Sequence, residues 1–166
     1  MSTSLFKRPL DLVYFIYFAT HIPVTLCIDF QVFYPSHWVP QLFKDALAMF
    51  INDFKDPFMG AQPYWFISFI YAELVFQFAF FFVACRGLWK DALSIRLGLL
   101  VYSSHVATTV WPSLVEVLLN PAHDLTQQER YTLAGFYLPY FVLPLVMLVD
   151  SYGRIVSALK TKQKQQ

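Results

Sequence analysis

Four stretches of this chain are apolar almost throughout and long enough to cross a bilayer, which takes about 20 residues of helix. They cover 10–28 (LDLVYFIYFATHIPVTLCI), 64–85, 95–119 and 131–149 (YTLAGFYLPYFVLPLVMLV). The long connector 29–63 has a different pattern. Within its QLFKDALAMFINDF, residues Leu42, Phe43, Leu47, Phe50, Ile51 and Phe54 recur at helical spacing. That spacing predicts a short amphipathic helix, either packed on the bundle or lying in the membrane interface. The pattern as a whole predicts an all-α fold: an integral membrane four-helix bundle with a lumenal connector between helices 1 and 2. It divides the chain into an N-terminal segment 1–9, a bundle 10–150 and a polar tail 151–166.

Composition agrees with this reading. The 166 residues are 57% hydrophobic, 19% aromatic and only 14% charged, with mean hydropathy +0.48. Soluble domains run at about 45–50% apolar and about 25% charged. A net charge of +1, with no basic stripe, gives no reason to expect a nucleic-acid partner. The distribution of charge says more than its sum. Four spans place both termini and the 86–94 loop on one side, with Lys7, Arg8, Arg86, Lys90, Arg96, Arg154, Lys160, Lys162 and Lys164. The opposite side has Lys44, Lys55 and Arg130. The positive-inside rule then predicts that both termini are cytoplasmic. On that map Cys27 and Cys85 lie at opposite membrane faces, so no disulfide joins them. The first span is too long for a signal-peptide core and lacks a small-x-small cleavage site, so it is expected to be retained.

Polar residues inside the spans are the candidates for chemistry. An ionisable group near the bilayer centre costs at least about 2.5–3.5 kcal/mol and normally faces the bundle interior and a partner. Glu73 falls about nine residues into the second span, roughly 14 Å deep at 1.5 Å per residue. Gln77 shares its face. His21, Thr25 and Asp29 follow at i, i+4, i+8 in the first span, which Pro23 interrupts. The third span adds Tyr102, His105, Thr108 and Thr109; the fourth adds Tyr137 and Tyr140, with Pro139 and Pro144 to bend it. If Asp29 and Glu73 approach one another, they cannot both ionise comfortably. The pair then keeps one proton and a net charge near −1. Such a site suits a hydrophobic molecule with one amine, held by the carboxylate and by aromatic faces. It also suits acid–base chemistry on an apolar substrate. Simpler roles exist: Asp29 as an interfacial cap, Glu73 as an interhelical hydrogen bonder, His21 and His105 as satisfied bundle histidines. Asp56 in FKDP reads as a turn or capping residue. Asp11 and Asp150, near span ends, read as solvated or paired with Lys7, Arg8 or Arg154. No H-E-x-x-H or C-x-x-C pattern occurs, so neither a metal site nor a cofactor is expected.

HIPVTLCIDFQ at 21–31, FKDP at 54–57, PYWFISFIYAELVFQ at 63–77, YSSHVATT at 102–109 and YLPYFVLP at 137–144 resemble the sigma-2 receptor family of the EXPERA superfamily. That superfamily also holds emopamil-binding protein, the sterol Δ8-Δ7 isomerase. The resemblance runs through all four spans in order. It implies a homodimeric membrane protein of the endoplasmic reticulum, with the nuclear envelope and endolysosomal membranes as further locations. It implies a pocket opening toward the bilayer that binds sterols, oxysterols and cationic amphiphiles, a role in cholesterol homeostasis, and cholesterol-transport proteins as partners. It assigns Asp29 to the ligand amine and Glu73 to its support by hydrogen bonding, which makes Glu73 the protonated member. Its other pocket positions fall on His21, Met59, Phe66, Ile70, Gln77, Tyr102, Thr109, Phe136, Tyr137 and Tyr140. Ile70 and Phe136 depart from the family's usual side chains, which bears on ligand selectivity. The last five residues, KQKQQ, are similar to a dilysine-type retrieval signal. Two function classes follow: a non-enzymatic sterol and amphiphile binder, and an isomerase that uses Asp29 and Glu73 as acid and base.

Overall fold

The computed structural model describes residues 3–164, which are helical nearly throughout. Helix α1 covers Pro9–Cys27 and is followed by a 3₁₀ turn, Asp29–Phe33. Pro9 opens α1, where a missing N–H does no harm. The connector contains α2 (Gln41–Asn52) and the single-turn α3 (Pro57–Ala61). Next come α4 (Tyr64–Ala72), a π-helical turn at Glu73–Gln77, and α5 (Phe78–Trp89). Helices α6 (Ile95–Leu119) and α7 (Gln127–Gln163) complete the chain and form its most extensive helix pair.

Among the described residues, three segments are long and apolar enough to cross a membrane: Pro9–Phe33, Tyr64–Trp89 and Gln127–Gln163. Helix α6 has 25 residues, about 37 Å of helix, but Arg96, Ser103, His105, Thr109 and Ser113 dilute its apolar character. Its polarity has a structural reason: Arg96, Tyr102, Ser103 and Ser113 are buried against the other helices. Elsewhere apolar side chains face outward, with Ile16, Val83, Val101 and Val149 all exposed. A chain with polar groups inside and aliphatic groups outside is arranged for hydrocarbon surroundings.

Helix α7 continues through the expected polar tail to Gln163. Lys162–Lys164 of the retrieval-like motif are within the described residues, and its last two glutamines lie outside them. The helix starts with a capping box: Thr126 Oγ1 accepts from the Glu129 N–H, and the Glu129 carboxylate accepts from the Thr126 N–H. Buried Arg130 fastens the preceding loop by donating to the carbonyls of Val117 (2.7 Å) and His123 (2.9 Å).

At the end of the bundle that carries both termini, Asp11 is completely buried. The guanidiniums of Arg8, Arg96 (2.6 Å) and Arg154 (3.3 Å) surround its carboxylate. Asp150 pairs with Arg154 at 3.0 Å, and Asp91 with Arg8 at 3.2 Å. This network ties α1, the α5–α6 turn, α6 and α7 together. Arg8 and Arg154 are among the partners expected for Asp11; Arg96 is an addition from another helix, and solvation plays no part.

Candidate functional site

The apolar connector face settles where α2 lies: against the bundle. Leu47, Phe50 and Ile51 pack on Phe30, Met59 and Ile70, and the Phe50 and Phe54 rings meet Phe136. Beneath this lid is a cavity of about 380 Å³ bounded by α1, α2, the short α3, α4 and the turn that follows it, α6 and α7. Its wall includes Asp29, Glu73, His21, Met59, Phe66, Ile70, Gln77, Thr109, Phe136, Tyr137 and Tyr140. Tyr102 is not on that wall. It lies in the core, where its hydroxyl shares a 2.9 Å hydrogen bond with the buried Tyr17 hydroxyl. His105 and Thr108 are off the wall as well; Thr108 bonds back to the Ser104 carbonyl. Sequence reasoning passed over Ala46 and Met49 of α2 and Val106, Val110 and Ser113 of α6. Small and aliphatic residues carry no chemical signal; only the helical spacing that includes Phe50 pointed to the lid.

Three of the polar wall residues, His21, Asp29 and Glu73, converge. Helix α1 ends at Cys27, so Asp29 begins the 3₁₀ turn and points back toward the second span. Carboxylate oxygens of Asp29 and Glu73 and a ring nitrogen of His21 all lie within 4.8 Å of one another. Thr25 Oγ1 donates to Glu73 Oε1 at 2.8 Å, and His21 Nε2 stands 3.4 Å from the same oxygen. Edge and tilted contacts with Tyr17, Phe81 and Tyr140 hold the His21 ring.

The π turn shapes this geometry. An uninterrupted α-helix was expected over 64–85, but the Phe78 N–H bonds the Glu73 carbonyl, five residues back. Within the turn Glu73 and Gln77 face the cavity while Leu74, Val75 and Phe76 face out. No proline or glycine in ELVFQ marks it.

A third carboxylate supports the cavity from outside the spans. Asp56 caps α3, accepting from the N–H groups of Phe58 (3.0 Å) and Met59 (2.8 Å). Its other oxygen accepts from the Tyr137 hydroxyl at 2.6 Å. Burial pushes its carboxyl above the ordinary range, against the opposing pull of these hydrogen bonds. The capping role expected for Asp56 is thus joined by a pin on a cavity-lining tyrosine.

The family model described as EXPERA (EXPanded EBP superfamily) matches residues 42–151. The chain belongs to the EXPERA family. It is 39% identical over 149 residues to Sigma intracellular receptor 2 of Xenopus tropicalis, covering 86% of this chain and 87% of the relative. The Homo sapiens protein of the same name is 34% identical over 153 residues, with the same coverage. Efficient mitochondria targeting-associated protein 19 of Schizosaccharomyces pombe is 25% identical over 167 residues, covering 95% of this chain and 85% of the relative.

Proposed function

We propose that this EXPERA protein is a receptor-like, non-enzymatic membrane protein that binds sterols and amine-bearing amphiphiles in the cavity between its helices. The observation that carries the reading is the meeting of Asp29, Glu73 and His21 on the wall of a mostly apolar and aromatic cavity. A cavity of about 380 Å³ is in the range of small-molecule sites, about 300–1,000 Å³. One negative charge shared by two carboxylates matches one amine, and Phe66, Tyr137 and Tyr140 supply ring faces and area. Asp29 receives the amine; Glu73, already met by Thr25 and His21, positions it.

Around this core the proposal has α6 as a fourth span, both termini in the cytoplasm and the connector in the lumen. The protein resides in the endoplasmic reticulum as a homodimer and takes part in sterol homeostasis with cholesterol-transport proteins. The supports are the lysine and arginine distribution and the named receptors among its relatives.

The second reading is a sterol isomerase, favoured by the proximity of His21 and Glu73, whose Nε2 and Oε1 stand 3.4 Å apart. Isomerisation needs an acid and a base disposed across the sterol ring. Asp29 and Glu73 instead stand side by side, which favours binding. Expression in cells lacking sterol Δ8-Δ7 isomerase separates the two. The binding reading predicts no restored conversion, together with a sterol recovered by mass spectrometry from the purified protein. Restored conversion contradicts it.

A further inference from the structure

A second cavity, of about 330 Å³, lies between the end of α5 and the start of α6, on the side of the bundle that carries the termini. It is distinct from the acidic cavity in position and in charge. Val83 and Arg86 lie on one face of α5, Lys90 follows just past its end, and Phe80 continues that face deeper into the bundle. Ser94, at the start of α6, closes the rim. Two glycines bring these walls together. A Cβ on Gly98 would meet the Phe80 ring at 2.6 Å, and one on Gly87 would meet Ile95 at 2.6 Å.

The charges at the mouth are uncompensated. Among the described residues, no acidic group lies within 4.0 Å of Arg86 or Lys90, although the same end of the bundle is rich in ion pairs. The nearest acid in sequence, Asp91, is committed elsewhere: it pairs with Arg8 and accepts from the Thr3 N–H. Two cations therefore face a cavity whose rim carries the hydroxyl of Ser94 and the positive end of the α6 dipole. Below them the wall turns apolar, and Val83 is exposed where lipid would stand.

We propose that this groove binds one anionic glycerophospholipid, with its phosphate between Arg86 and Lys90 and an acyl chain along Val83 and Phe80. A free phosphate would satisfy the two cations but leave the apolar floor unused, so charge and greasy wall together select a lipid. The positive-inside tendency accounts for basic residues at this end of the bundle in general. It does not account for two of them sharing one glycine-lined groove with an apolar extension. The inference is independent of the acidic cavity, and its failure leaves that site's assignment intact.

The test uses the full chain in phosphatidylcholine nanodiscs containing a minority of phosphatidylserine, with lipid retained through purification counted by native mass spectrometry. One retained anionic lipid per protomer is expected. Its affinity should fall about tenfold or more in Arg86→Gln/Lys90→Gln and persist in Arg86→Lys/Lys90→Arg. Lys7→Gln/Lys160→Gln removes two exposed charges from the same end and should leave retention unchanged. Equal losses in the two neutralising doubles would reduce the effect to general surface attraction and overturn the proposal. Displacement of the lipid by inorganic phosphate alone would overturn it in favour of a soluble-anion site, and the absence of any selective retention would also overturn it.

Discussion

The hydroxyl of Tyr137 donates to Oδ2 of Asp56 at 2.6 Å, joining the connector to the last long helix at the edge of the acidic cavity. The other oxygen of Asp56 meanwhile caps α3. One carboxylate thus anchors both the short helix after the lid and a ring on the cavity wall. Asp56→Ala removes a cap and leaves the half-buried Tyr137 phenol unpaired, a loss of about 2–4 kcal/mol. Thermal unfolding in detergent should show the drop, and Tyr137→Phe should lose only the smaller hydrogen-bond part. A stability equal to wild type in Asp56→Ala would remove this pin from the account.

Because burial raises the Asp56 carboxyl above the ordinary range, the folded chain holds that proton more tightly than the unfolded one. The contribution is therefore fully present below the unfolded value and is lost as pH rises through the folded value. Between neutral pH and the ordinary carboxylate range, wild type should gain stability on acidification relative to Asp56→Asn. Parallel pH–stability curves for the two proteins would contradict the assignment.

Asp11 is buried among three guanidiniums, so its removal strands positive charge in the interior. Breaking a buried pair from one side costs about 3–5 kcal/mol. Asp11→Ala should express poorly or melt far below wild type, whereas Asp11→Ala combined with Arg96→Met should recover part of the loss. A double variant no more stable than the single one would show that stranded charge is not the cause.

These cases show which parts of the molecule are legible in its sequence. The long apolar runs and the spacing of Leu47, Phe50 and Ile51 announce the helices and the lid, because burial in lipid or against a bundle demands those patterns. The depth of Glu73 marked it as a site residue on energetic grounds, and the structure puts it within 4.8 Å of Asp29 and His21. Tyr102, placed in the pocket by the resemblance, stands off the cavity wall, where Tyr17 of α1 shares its hydroxyl's hydrogen bond. The π turn at Glu73–Gln77 left no trace, since it arises from packing rather than from a breaker residue. Arg96 was counted only as a topological charge, because nothing local to IRLGLL shows that a buried aspartate 85 residues earlier is its partner.

Topology has its own check. With both termini cytoplasmic, an N-glycosylation acceptor engineered into the 121–126 loop should be modified in the endoplasmic reticulum, and one placed at either terminus should not. The reverse labelling pattern would invert the orientation, and labelling at one terminus alone would exclude an even number of spans.

The central claim concerns how Asp29 and Glu73 divide their work, and equilibrium binding of a tertiary-amine probe to purified variants tests it most directly. Asp29→Asn should weaken the amine by about 2–5 kcal/mol, thirtyfold or more, while a neutral sterol still binds. Glu73→Gln keeps an acceptor for the Thr25 hydroxyl and should lose distinctly less. Wild-type amine affinity in a folded Asp29→Asn protein would contradict the account.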